Sequence, residues 1–143
     1  MTLARGSDSV RAMQIEDIRR VSVVGAGQMG AGIAEVCARI GLEVSLSDQS
    51  REHAERGLKS IEKSLDGAVR KDLLSAADKA STLSRISASD RSPRDVDLVI
   101  EAASENVVLK LELFARLERE TRPGALLCSN TSSISLTRIA AAT

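Results

Sequence analysis

The run VSVVGAGQMGAGIAEVCARIG, Val21 to Gly41, constrains the chain more than any other segment, because it fits a buried strand, a glycine turn and a helix in direct succession. Val21, Val23 and Val24 are β-branched and stop at Gly25, and Met29, Ile33, Val36, Cys37 and Ile40 then recur at helical spacing. In that setting the spacing G-x-G-x-x-G acquires a physical meaning. Gly25 permits the tight turn, Gly27 has no side chain to hold a pyrophosphate off the backbone, and Gly30 lets the helix lie close to the strand. The helix start then offers unpaired backbone N–H groups and the positive end of its dipole to an anion. Glu43 to Ser47 reads as a second short strand ending at Asp48, about 20 residues past the glycines, where an acidic residue accepts the hydroxyls of an adenosine ribose. Strand, loop, helix and acid together predict a dinucleotide site, whereas the loop alone fits an ordinary βαβ turn.

From Ser50 to about Leu74 the pattern is one long amphipathic helix or two joined ones. Ala54, Leu58, Ile61, Leu65, Val69 and Leu73 form its apolar stripe, and Glu55 with Lys59 and Asp66 with Arg70 are i,i+4 pairs on the wet side. Gly67 is where it can bend. A shorter helix, Ser75 to Leu83, and a weak strand around Arg85 to Ala88 follow. A return to the next parallel strand needs only about a dozen residues, so this is a long helical insertion after the second strand. A helix of ~22 residues is ~33 Å long and overhangs the sheet, either as plain packing or in reach of a bulky ligand beyond the dinucleotide.

Ser92 to Asp95 is a turn around Pro93, and Val96 to Ala102 reads as a central parallel strand interrupted only by Asp97 and Glu101. Asn106 caps a helix whose Val107, Leu111, Phe114 and Leu117 share a face, and Arg122-Pro123-Gly124 ends it. The last strand is Ala125 to Cys128, with a final helix near Leu136. This alternation predicts an α/β, Rossmann-type, doubly wound and mostly parallel sheet, whose ligands lie outside the carboxyl ends of the strands. Three segments meet there: the glycine loop, Ala103 to Asn106, and Ser129 to Ser133.

The 143 residues make one domain of ordinary size. Twenty basic residues balance twenty acidic ones and Phe114 is the only aromatic, so neither a basic surface nor a stacking platform for nucleic acid is present. No apolar run approaches the ~20 residues that span a bilayer. Cys37 and Cys128 lie inside apolar segments and read as two reduced core thiols of a cytoplasmic protein, with no metal site. The sole histidine, His53, sits on a charged helix without partners and takes no chemical role. Residues 1 to 17 read as a flexible polar tail lacking the apolar core of a secretory signal, and residues 18 to 143 as the folded domain.

VVGAGQMGAGIA from Val23, LSDQS from Leu46, DLVIEAASENVVLKLELF from Asp97 and PGALLCSNTSSIS from Pro123 together resemble the NAD-binding domain of the L-3-hydroxyacyl-CoA dehydrogenase family, which includes 3-hydroxybutyryl-CoA dehydrogenase. The resemblance covers nearly everything from about Ile18 onward, and EAASEN with SNTSS make it more specific than the glycines do. It implies oxidation of an (S)-3-hydroxyacyl-CoA to the 3-oxoacyl-CoA in fatty acid metabolism, with hydride passing to NAD. Gln28 and Met29 are counted with Gly25, Gly27, Gly30 and Asp48 as cofactor-binding. Carried over by position, Glu105 and Lys110 contact the cofactor's ribose and neighbouring groups, Ser132 hydrogen-bonds the reacting oxygen beside the nicotinamide, and Asn130 shapes that pocket. Ser64 and Lys71 match the family's coenzyme A contacts, the bland alternative being a solvated helix face. The family's general base is a histidine in a strand beyond Thr143, oriented by a glutamate further on, and a C-terminal domain completes the substrate pocket and the homodimer. The chain therefore reads as the cofactor half of a two-domain enzyme, the alternative being a stand-alone NAD-binding module.

Overall fold

The structure, a computed structural model, describes residues 13–141. Five strands form one sheet: β1 (Arg20–Val24), β2 (Glu43–Ser47), β3 (Ile86–Ser89), β4 (Leu98–Glu101) and β5 (Leu126–Ser129). Their spatial order is β3-β2-β1-β4-β5 and every pairing is parallel. The chain runs outward from β1 in one direction and then in the other, so right-handed crossovers place the helices on opposite faces. On one face lie α1 (Gln28–Arg39), α2 (Arg51–Arg70) and α3 (Ala76–Ser84); on the other lie α4 (Val107–Glu120) and the short α5 (Leu136–Ala140).

Alternation along β1 serves both layers. Val21 and Val23 join the core beneath α1 and α2 with Leu46, Ile61 and Leu65, while Val24 packs with Val96, Val99 and Leu117 under α4. Phe114, Ile134 and Ile139 form a separate cluster that ties α5 to α4. The link from β3 to β4 has no helix. Its extended strap crosses the second face, where Ser92 Oγ meets Ser22 Oγ of β1 at 2.7 Å.

The face of α1 differs from the large-residue pattern in the sequence. Its buried positions are Gly30, Ala31, Ala34 and Ala38; Met29, Val36 and Ile40 are exposed, and Ile33 and Cys37 lie at the margin. The glycine turn brings the helix so close to β1 that only glycine and alanine fit between them. A Cβ on Gly30 would stand 1.7 Å from the carbonyl oxygen of Gly25. Gly57 does the same for α2, since its Cβ would meet Ala26 at 2.8 Å, which packs α2 directly against the glycine loop.

Helix α2 runs through Gly67 without a break and ends at Arg70, where Lys71 caps it and Asp72 turns the chain at φ +56°. Ser50 starts it by accepting the amide N–H of His53, and Ser75 starts α3 by accepting that of Asp78. The ion pairs differ from the expected ones: Glu55 pairs with Arg51 at 2.9 Å, and Asp66 pairs with Lys79 of α3. Helix-to-helix docking thus takes precedence over the i,i+4 partner for Asp66. Leu73, assigned to the apolar stripe, lies past the helix end and is exposed.

Both cysteines are free, but only Cys37 is half-buried, and burial raises its pKa. Cys128 is exposed, because β5 is an edge strand whose alternate positions have no covering layer, so it is not a core thiol. Residues 1 to 12 of the expected tail lie outside the described residues; Ile15–Asp17 forms a single 3-10 turn closed by the Asp17 carboxylate on the Gln14 amide. Among the described residues no helix is long and apolar enough to cross a membrane, and no cluster suited to a metal ion occurs.

Candidate functional site

Gly25, at φ +105°, ends β1 in a conformation that favours glycine, and a Cβ there would stand 2.5 Å from the Ala102 carbonyl oxygen. Gly27 is different in kind. A Cβ at Gly27 would meet nothing within 4 Å, so its position opens onto free space at the start of α1. Helix α1 has Gly27 as N-cap with no side-chain cap and no acidic residue in its first turn, in contrast to Glu52 in α2 and Asp78 in α3. The first turn of α1 therefore carries no acidic residue of its own against the amides, which suits a pyrophosphate.

Asp48 follows β2 directly. Its Oδ2 accepts the Ala26 amide N–H at 2.7 Å and its Oδ1 accepts that of Gln49 at 2.7 Å, so the carboxylate both braces the glycine loop and remains beside it. Gly25, Gly27, Asp48, Ala103, Ser104 and Lys110 line one cavity of 730 Å³, bounded on its far side by Arg116 and Arg119 of α4. This volume is in the range of cofactor clefts.

The end of β4 carries the charge. Glu101 is fully buried; its Oε1 accepts the Ala103 amide at 2.7 Å and its Oε2 accepts the Ser129 hydroxyl at 2.6 Å. Lys110, also buried, places Nζ 3.0 Å from Glu101 Oε2 and 3.7 Å from Glu105 Oε1, and Nζ has no aligned hydrogen bond among the described residues. Glu105 is exposed, and its Oε2 accepts the Thr131 hydroxyl at 2.8 Å and the Ser133 hydroxyl at 2.9 Å. Those two hydroxyls, followed by the Lys110 charge, hold the Glu105 pKa below its usual value. Asn130 and Ser132 are exposed, with no side-chain hydrogen bond among the described residues.

The expected groups thus meet at the same strand ends, with Lys110 turned into the charge cluster. Sequence reasoning missed Glu101 as part of it. A carboxylate closing an apolar central strand is the available signal, since burial of such a group demands partners. Ser64 and Lys71 also come together: with Lys63 they line a shallow groove of 500 Å³ along α2. His53 is exposed on the first turn of α2, with its Nδ1 2.9 Å from Ser50 Oγ, so it has a partner after all, one that serves the helix cap.

Residues 20–143 match the model of the family described as 3-hydroxyacyl-CoA dehydrogenase, NAD binding domain. The chain belongs to this family. The 3-hydroxybutyryl-CoA dehydrogenase of Mycobacterium tuberculosis is 45% identical over 129 residues, which cover 88% of this chain and 45% of that protein. That of Bradyrhizobium diazoefficiens is 43% identical over 128 residues, 88% of this chain and 44% of the relative. The crystal structure of the (S)-3-hydroxybutyryl-CoA dehydrogenase of Ralstonia eutropha superposes with a TM-score of 0.83 at 43% identity, covering 88% of this chain and 45% of that one. The chain spans less than half the length of these relatives. For a member of this NAD-binding domain family, the open space at Gly27, the uncapped start of α1 and the carboxylate of Asp48 are the features that suit the cofactor.

Proposed function

We propose that this chain is the NAD-binding half of an enzyme that oxidises (S)-3-hydroxyacyl-CoA to 3-oxoacyl-CoA in fatty acid β-oxidation. The carrying observation is that the glycine loop, Asp48 and the segment after β4 line one cofactor-sized cavity, while the SNTSS segment after β5 is tied to the same strand end through Glu101 and Glu105. In this reading the backbone of Gly25, Gly27, Gln28, Met29 and Gly30 holds the pyrophosphate and Asp48 takes the adenosine ribose. Glu105 and Lys110 flank the second ribose, Ser132 orients the substrate's reacting oxygen, and Asn130 shapes its pocket. Bound there, NAD supplies the hydride acceptor.

Ser64 and Lys71 receive coenzyme A along the α2 groove. The two free thiols support a reducing, cytoplasmic setting. The acyl pocket and the homodimer belong to a C-terminal domain supplied in cis or in trans.

Among the described residues no histidine lines the cavity, and its carboxylates are Asp48, which holds the glycine loop, Asp90 and Glu112. In this reading, which follows the family resemblance, removal of the hydroxyl proton is assigned to the histidine of the C-terminal half, and Ser132, an unactivated hydroxyl, only orients. General-base catalysis contributes ~10²–10⁴-fold and positioning of substrate more again. Assayed alone with 3-hydroxybutyryl-CoA and NAD, the chain gives at most trace turnover, and addition of a relative's separately expressed C-terminal half restores it. Full activity from the chain alone contradicts the assignment.

A further inference from the structure

Segment 129–133 is held in an alternating manner. Ser129 donates to Glu101, and Thr131 and Ser133 both donate to Glu105. The backbone adds the Asn130 amide to the Glu101 carbonyl at 2.7 Å, and Thr131 Oγ1 also accepts the Ile134 amide at 3.1 Å. The residues left over are Asn130 and Ser132, the two on which the proposed function relies.

Both carboxylates depend on a single cation, Lys110, whose side chain is 1% exposed. Without it, two carboxylates would crowd a buried strand end with no cation between them. With it, a charged acceptor is available to each of three hydroxyls, and bonds of that kind are shorter and stronger than neutral ones.

We propose that Glu101 is the positioning residue of this site: paired with Lys110, it fixes Ser129, and through it presents Asn130 and Ser132 to the second half of the dinucleotide. The direction follows from the strand order. Asp48 lies beyond β2 on one side of β1, and Glu101 and Ser129 end β4 and β5 on the other side. A dinucleotide whose adenosine ribose rests on Asp48 and whose pyrophosphate crosses Gly27 reaches β4 and β5 only with its nicotinamide riboside. The inference rests on the NAD reading, and a ligand that stops at the diphosphate separates the two.

The experiment compares wild type, Glu101→Gln and Ser129→Ala, titrating NADH and ADP by calorimetry and following amide hydrogen exchange. Glu101→Gln weakens NADH roughly three- to tenfold, leaves ADP within about twofold, and speeds exchange in 130–134 while β1 and β2 keep their wild-type rates. Ser129→Ala, which leaves the buried charges in place, shows the same pattern to a smaller degree and carries the test alone if Glu101→Gln does not fold. Equal losses of NADH and ADP, faster exchange throughout the domain, or no change in 130–134 would each overturn the positioning role. If the wild type binds neither ligand, the NAD reading fails, and local exchange in Ser129→Ala then decides whether Glu101 holds the segment.

Discussion

Gly27 and Gly30 have the same side chain and opposite reasons for it. Gly30 is glycine because the protein fills its surroundings, Gly27 because the protein leaves them empty. Gly30→Ala forces the Gly25 carbonyl aside and lowers stability by about 1–3 kcal/mol. Gly27→Ala changes stability by less than about 0.5 kcal/mol but weakens NADH. Urea unfolding followed by circular dichroism, beside a NADH titration, separates the two; equal loss of stability in both variants contradicts the account. Asp97, at the opposite end of β4, accepts the amides of Arg19 and Arg20 at 2.7 Å each and pairs with Arg122 at 2.5 Å. Burial works against its charge, yet the Arg20 and Arg19 amides and the Arg122 and Arg20 charges outweigh it and set its pKa below the usual value. A carboxyl depressed in the folded state stabilises fully above its unfolded pKa, near 4, and loses that contribution as the pH falls through the folded value. Asp97→Asn is therefore less stable by about 2 kcal/mol at pH 7, and the gap narrows below about pH 4; a gap independent of pH would assign the loss to packing. The glycines, Asp48 and the SNTSS hydroxyls are legible in the sequence because their types and spacing are chemical. Glu101 and Asp97 are not, because a strand pattern shows them only as interruptions and, the Ala103 amide apart, their partners lie 9 to 78 positions away.

The elements are legible where periodicity is strong. All five strands and the helices stand within a few residues of their expected bounds, including the helix starts at Ser50 and Ser75 and the cap at Asn106. The buried face of α1 is not legible, because apolar size marks Met29, Val36 and Ile40 while close approach to β1 selects glycine and alanine. The partner of Asp66 is hidden for a related reason, since local spacing cannot foresee that α3 docks Lys79 beside it. The proposed coenzyme A contact of α2 lies in its groove. Lys71→Ala removes one exposed cation there, worth on the order of 1 kcal/mol, so acyl-CoA binding weakens several-fold while NADH binding is unchanged. Identical acyl-CoA affinity in the variant returns Lys71 to a solvated helix face.

At the scale of the whole molecule, the sheet order places the switch point between β1 and β4, and the glycine loop, Asp48 and Glu105 flank it. That arrangement suits a dinucleotide through the domain's own residues, while the proposed chemistry on a substrate hydroxyl is assigned a base from elsewhere. Cofactor binding is thus the property assigned to this domain. Because the chain contains neither Trp nor Tyr, the intrinsic emission of NADH reports on it without interference. The deciding measurement is a fluorescence titration of the chain with NADH and, in parallel, with NADPH. The account predicts saturable one-to-one binding of NADH and affinity for NADPH on the order of tenfold weaker, since the Asp48 carboxylate that accepts a 2′-hydroxyl repels a 2′-phosphate; absence of saturation with NADH, or equal affinity for NADPH through Arg51, would contradict it.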